Sequence, residues 1–217
     1  MHKSINNLVS IESELKAKLH NLDKIKIIAV SKTFALDNIL PLINHGQIHF
    51  GENKVQEAVE KWTNIKKNFP KIKLHMIGKL QTNKVKFVVP LFDYIHSLDK
   101  LKLAKKISEE QIKYKKKLKI FIQINIANEE QKSGIQPNEL KNFYHVCVND
   151  LRLDVVGLMC IPPNDNKNNI YFSEMKKLKL KIGVKELSMG MSQDYLEALE
   201  NDATYIRIGS KIFGSRI

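Results

Sequence analysis

Apolar residues recur along this chain with two alternating periods. Ile5, Leu8, Leu15, Leu19 and Leu22 fall at helical spacing and predict an amphipathic helix at the N-terminus. Beyond it, short β-branched runs alternate with longer amphipathic stretches. Strands are predicted over residues 26–31, 48–51, 72–77, 94–98, 118–126, 153–161, 186–189 and 205–208. Helices are predicted over 36–44, ended by Gly46, and over 55–65. Further helices are predicted over 83–89, stopped by Pro90, and over 101–114. The last three cover 137–148 with Pro137 in the first turn, 170–182 closed by Gly183, and 193–200.

Repeated β–α alternation favours a parallel sheet with helices packed outside it. Eight such units point to an α/β fold of one kind, a single (β/α)8 TIM barrel with an extra N-terminal helix. At 217 residues the barrel is near the lower end of its size range, so its loops must be short. No stretch reads as a linker, and residues 162–169 read as one long loop after the sixth strand. One domain over residues 1–217 is therefore expected.

Composition narrows the function classes. A hydrophobic fraction of 43% excludes a disordered chain. Apolar runs such as 27–30 and 155–161 fall far short of the roughly 20 residues a membrane-spanning helix needs. The first residues turn polar at once, with no apolar signal region. Together with only two cysteines, Cys147 and Cys160, this predicts a cytoplasmic chain without disulfides. The net charge of +13 raises nucleic acid as a partner. Only Arg152, Arg207 and Arg216 are arginines, however, and the lysines are spread along the chain. That composition fits solvated faces better than phosphate forks, so no specific nucleic acid is expected. The densest basic run, 113–119, reads as a solvated turn.

In a barrel of this kind the active site lies at the C-terminal ends of the strands. Lys32 follows the first strand directly. A partly desolvated lysine there has a lowered pKa, and its neutral amine can form a Schiff base with an aldehyde. In so lysine-rich a chain a plain surface lysine is the competing reading. Gly190, Ser192, Gly209 and Ser210 end the seventh and eighth strands, where such barrels commonly hold phosphate. A Schiff-base lysine facing a phosphate site describes pyridoxal 5′-phosphate (PLP). Arg207 shares a strand face with Gly209. It would meet the cofactor ring as a donor that cannot protonate the pyridine nitrogen, or it forms a structural ion pair. His75 and His96 lie on apolar strands and read as core histidines. No metal-ligand spacing, dinucleotide fingerprint or P-loop is present.

The sequence resembles the YggS/PROSC group of PLP homeostasis proteins, related to the N-terminal barrel of alanine racemase. The resemblance runs through Ala29-Val30-Ser31-Lys32-Thr33, Phe50-Gly51-Glu52-Asn53 and His75-Met76-Ile77-Gly78. It continues through Leu80-Gln81-Thr82-Asn83-Lys84, Lys132-Ser133-Gly134-Ile135, Leu187-Ser188-Met189-Gly190-Met191-Ser192 and Arg207-Ile208-Gly209-Ser210. It implies that Lys32 carries PLP as a Schiff base and that Arg207 faces the pyridine nitrogen. It also implies that Ser192, Gly209 and Ser210 hold the phosphate, with Asn53 and Met191 beside the ring. Lys54 and Lys79 depart from the family's usual residues, and the stretch 162–186 is shorter than in many relatives. Alanine racemase adds a tyrosine from a second, β-rich domain, for which a chain ending at residue 217 leaves no room. The resemblance therefore implies a cytoplasmic, monomeric PLP carrier without catalytic residues. Its task would be PLP (vitamin B6) and amino-acid homeostasis, with apo PLP-dependent enzymes as partners. An amino-acid racemase is the alternative, and needs a second acid or base from Tyr94, His75 or a partner chain.

Overall fold

The computed structural model describes residues 2–18 and 24–214. Helix α1 (Lys3–Lys18) buries Leu8, Ile11 and Leu15 along one stripe, the face its spacing predicts. Leu19 and Leu22 lie outside the described residues, as does Arg216. The chain then runs β1 (Lys26–Val30), α2 (Leu36–Asn44), β2 (His49–Glu52), α3 (Val55–Asn68) and β3 (Lys73–Met76). A 3-10 turn (Thr82–Lys84), α4 (Val85–Leu91), β4 (Tyr94–Leu98), α5 (Leu101–Tyr114) and β5 (Lys119–Gln123) follow. The last third holds α6 (Leu140–His145), a π-helical turn (Val146–Asp150), β6 (Asp154–Met159) and α7 (Asn168–Ile182). It ends with β7 (Glu186–Met191), α8 (Tyr195–Glu200), β8 (Tyr205–Ile208) and α9 (Ser210–Phe213).

The strands close in sequence order from β1 to β8, and β8 pairs in parallel with β1 through Lys26–Tyr205 to Ala29–Ile208. Alternation along each strand splits the core in two. Outward residues such as Ala29, Leu74, Ile95 and Ile206 pack against the helices. Inward residues Ile28, Val30, Tyr94, Phe121, Met159 and Tyr205 form a separate cluster inside the barrel. Among the described residues no helix is long and apolar enough to cross a membrane.

Several boundaries shift by one to three residues from the sequence pattern, and three shifts have a local physical reason. Pro90 lies inside α4 rather than ending it. Proline removes only its own donor, and Phe92 N still reaches Val88 O at 2.8 Å, so the turn completes. Pro137 sits in a turn, and α6 starts only at Leu140. The fifth strand stops at Gln123: Ile124 N still donates to Met159 O of β6 at 2.8 Å, but Asn125 N turns to Ile135 O and Ile135 N to Gln123 O, each at 2.9 Å. The segment between them folds back over the barrel mouth, where Gln123 Nε2 donates to Ser133 O at 3.0 Å.

Candidate functional site

The C-terminal ends of the strands open into a cavity of about 790 Å³. Its lining brings together all seven residues expected there: Lys32, Asn53, Met191, Ser192, Arg207, Gly209 and Ser210. Lys79, Gln123, Asn125, Lys132, Asn168 and Asp194 line it as well. Of these, Asp194, Asn168 and Lys132 carry no signal in the strand pattern, since they come from connecting segments.

Lys32 stands in a turn held from below. Ser31 Oγ donates to Glu52 Oε1 at 2.8 Å, and Lys61 Nζ donates to Ser31 O at 3.0 Å. Thr33 has φ +69°, a left-handed conformation that β-branched residues rarely adopt. Its N–H donates to Glu57 Oε1 at 2.7 Å, which pins it there. Phe34 stacks on Phe213 with ring centroids 4.7 Å apart, joining this turn to α9. Asn53 follows β2, and its Oδ1 is buried with no hydrogen-bond partner among the described residues. Gly78 packs directly against it, since a Cβ at residue 78 would lie 2.3 Å from Asn53 O.

The opposite rim is built by the ends of β7 and β8. Gly190 takes φ +86°, and a Cβ there would come within 2.7 Å of Ala198 Cβ. Only glycine fits that bend. Met191 N donates to Asp194 Oδ1 at 2.6 Å, fixing the turn that presents Ser192. Lys211 N donates to Ser192 Oγ at 3.4 Å, so Ser192 and Ser210 face the same opening.

Arg207 is 4% exposed and its burial lowers its pKa. Its Nη1 donates to Ser188 Oγ and its Nη2 to the Cys160 carbonyl, each at 2.8 Å. Among the described residues it forms no salt bridge, so the structural ion pair considered from sequence is not made there. Asp194 on the same lining acts on it only through space, and with Lys32, Lys79 and Lys132 also there cations outnumber the carboxylate, which suits an anionic guest. His75 and His96 are buried in the barrel interior and do not line the cavity, and Tyr94 lies with them. Cys160 and Cys147 are buried too, and burial pushes both thiols up to about 12. No group of three or more His, Cys, Asp or Glu among the described residues could hold a metal ion.

A closed eight-stranded barrel whose mouth gathers an amine, a buried guanidinium and a hydroxyl-lined rim defines a known structural class. The family described as alanine racemase, N-terminal domain, matches residues 7–217. The pyridoxal phosphate homeostasis protein of Pasteurella multocida is 38% identical over 225 residues, covering 97% of this chain and 96% of that protein. Its Escherichia coli counterpart is 32% identical over 229 residues, covering 100% and 98%. The chain thus belongs to the pyridoxal phosphate homeostasis (YggS/PROSC) family within that class. The structure of PipY from Synechococcus elongatus without PLP has a TM-score of 0.86 at 30% identity, covering 98% of this chain and 100% of that one. PipY with PLP bound has a TM-score of 0.84 at 30% identity, covering 97% and 100%. An alanine racemase from Clostridium difficile shares the fold, at a TM-score of 0.73 and 18% identity, and this chain covers 57% of it.

Proposed function

We propose that this chain binds PLP at the barrel mouth, with Lys32 as its covalent anchor, and serves as a non-catalytic carrier in PLP (vitamin B6) and amino-acid homeostasis. One observation carries the reading. An amine, an Asn53 Oδ1 with no hydrogen-bond partner among the described residues, a buried guanidinium bonded only to neutral acceptors and two rim hydroxyls converge on one cavity. Each group suits a different part of PLP. When bound, PLP supplies an aldehyde that a neutral amine attacks with loss of water. Lys32 supplies that amine from a turn held by Glu52 and Lys61. Ser192, Ser210 and the Gly209 backbone face the phosphate, and Asn53 and Met191 flank the ring. Arg207 donates to the ring nitrogen.

The donor set favours holding over turnover. Guanidinium has no lone pair to accept a proton and at neutral pH gives none up, so the ring nitrogen stays unprotonated and the ring is a poor electron sink. Two-base racemisation needs a second acid or base opposite Lys32. Besides Lys32 and Arg207, the titratable side chains on the described lining are Lys79, Lys132 and Asp194, with no histidine or tyrosine among them, and Asp194 is engaged by Met191 N. The residues named for that role, Tyr94 and His75, lie in the interior instead. The whole chain, residues 1–217, acts as one PLP-binding domain, monomeric and cytoplasmic, and apo PLP-dependent enzymes are the acceptors.

Titration with PLP tests the reading. The chain should develop an absorbance band shifted from that of free PLP, and Lys32→Ala should abolish the shift. The same band in Lys32→Ala would overturn the assignment.

A further inference from the structure

The barrel interior holds a polar filament inside an apolar sleeve. It starts at Arg207 on β8, whose Nη1 donates to Ser188 Oγ on β7 at 2.8 Å. Ser188 Oγ lies 2.8 Å from His96 Nδ1 on β4. His96 Nε2 lies 2.9 Å from His75 Nδ1 on β3, and His75 Nε2 lies 2.9 Å from His49 Nδ1 on β2. His49 is the first residue of its strand, so the filament runs from the cavity toward the barrel's far end. His96 stacks on Phe121 and His75 on Tyr94, each pair with centroids 4.2 Å apart, which fixes both ring planes.

The hydrogens in this filament have one favoured direction. A guanidinium only donates, so Ser188 Oγ must accept from it. Ser188 is wholly buried, and among the described residues its hydroxyl's other partner is His96 Nδ1. Were that nitrogen protonated, the serine hydrogen would be buried without an acceptor. Leaving such a donor unmade disfavours the arrangement by about tenfold or more. Ser188 therefore donates to His96 Nδ1. A neutral His96 then carries its hydrogen on Nε2 and donates to His75 Nδ1, and His75 likewise donates to His49 Nδ1. His49 is left with Nε2–H at the half-buried end.

We propose that Ser188, His96, His75 and His49 form a one-way hydrogen-bond chain, all three rings neutral and protonated on Nε2, that positions Arg207 as a fixed donor to a ring nitrogen in the cavity. This rests on the PLP reading above. With its hydrogen committed to His96, Ser188 turns only lone pairs toward the guanidinium. Together with the Cys160 carbonyl it fixes the guanidinium plane, while the arginine still lines the cavity. Every ring nitrogen in the chain is either N–H or an occupied acceptor, so an added proton must break a bond.

The surroundings agree. Burial holds the pKa of His75 and His96 well below the usual histidine range and takes His49 down to about 4. Through space, Lys26 and Lys73 act on His49, His96, His49 and Lys66 on His75, and Arg207 and His49 on His96, each disfavouring a further positive charge. Asp93 alone opposes this, acting on His49. Tyr94 and Tyr205 pack against the rings, and burial raises the Tyr205 pKa.

Two measurements test the chain. Ring nitrogen-15 spectra of the PLP-free protein should show His49, His75 and His96 as Nε2–H tautomers, unchanged from pH 8 to pH 5.5. A hydrogen on Nδ1 of His75 or His96, or protonation of either in that range, would overturn the proposal. Second, the wild-type chain should bind PLP about tenfold more tightly than its 1-deaza analogue, which lacks the ring nitrogen. Ser188→Ala should reduce that preference to about twofold or less. Equal affinity of the wild type for both probes, or an undiminished preference in Ser188→Ala, also counts against the chain. The wild-type arms decide even if the variant fails to fold. If borohydride leaves Lys32 unlabelled with either probe, the PLP reading fails, and the chain's role toward a ring nitrogen fails with it. If Lys32 is labelled with both and no preference exists, only the chain is refuted.

Discussion

The turn that carries Lys32 hangs from a buried charge cluster, and Glu52 is its centre. Glu52 Oε1 accepts from Ser31 Oγ at 2.8 Å, Trp62 Nε1 at 3.0 Å and Lys61 Nζ at 3.1 Å. Lys61 Nζ donates also to Ser31 O and to Glu57 Oε1, each at 3.0 Å, and Glu57 holds Thr33 N. Ser31 is thus tied to Glu52 and Thr33 to Glu57, with Lys61 bridging the two carboxylates. Glu52→Gln preserves shape and removes the charge opposite Lys61, whose side chain is 9% exposed. Removing one member of a buried pair costs about 3–5 kcal/mol when no partner remains. Here Glu57 remains, with its side chain 27% exposed, so a loss of roughly 2 kcal/mol is expected. Replacing both partners, Glu52→Gln with Lys61→Met, should recover most of that loss, because no unpaired buried charge is left. Urea unfolding of wild type, both single variants and the double variant, with slopes compared, measures the coupling. A single variant within about 0.5 kcal/mol of wild type, or a double variant as unstable as the two losses added, would refute the argument.

Acid should destabilise the fold through its interior histidines. They are neutral when folded, and His49 falls to about 4 from a reference of 6.5, so below pH 6.5 the unfolded chain binds more protons. Stability is then full above pH 6.5 and falls with pH, by up to about 1.4 kcal/mol per pH unit for each histidine, the share of His49 ending near pH 4. Urea midpoints at pH 7, 6 and 5 read this directly, and a flat profile contradicts it. At the mouth, Gly78→Ala brings a Cβ to 2.3 Å from Asn53 O and 2.7 Å from Asn53 Cα. Neither backbone atom can yield cheaply, so a loss of about 1–3 kcal/mol is expected, with PLP affinity weakened about tenfold as Asn53 shifts. Wild-type affinity in a folded Gly78→Ala chain would remove Asn53 from the site.

Much of this was legible in the sequence, for identifiable reasons. Strands 94–98 and 205–208 and helices 36–44 and 101–114 have the predicted limits, because the strands are short β-branched or aromatic runs and the helices amphipathic stretches, with a change of period at their ends. The seven expected site residues converge because each lies at or just beyond a strand end, where the barrel puts its mouth. The interior was not legible. His49, His75 and His96 sit on three different strands, and each alone reads as a packed histidine. Closure of the barrel sets them nitrogen to nitrogen, and Ser188, 19 residues before Arg207, links them to the cavity. The Glu52–Lys61 pair is hidden likewise, since a separation of 9 residues matches no helical or strand repeat. The early end of β5 follows from contacts of Gln123 and Asn125 with Ser133 and Ile135, which no local pattern encodes, and the late start of α6 accompanies a turn in which Gln136 N donates to Glu139 Oε2 at 3.1 Å.

The central claim is that one particular amine anchors the ligand. Incubation with PLP, reduction with borohydride and peptide mapping by mass spectrometry test it most directly. The account predicts a pyridoxyl group on Lys32 at near-stoichiometric yield, with neighbouring Lys54, Lys79 and Lys132 unmodified. A tag on one of those lysines in place of Lys32, or no stable tag at all, would contradict it.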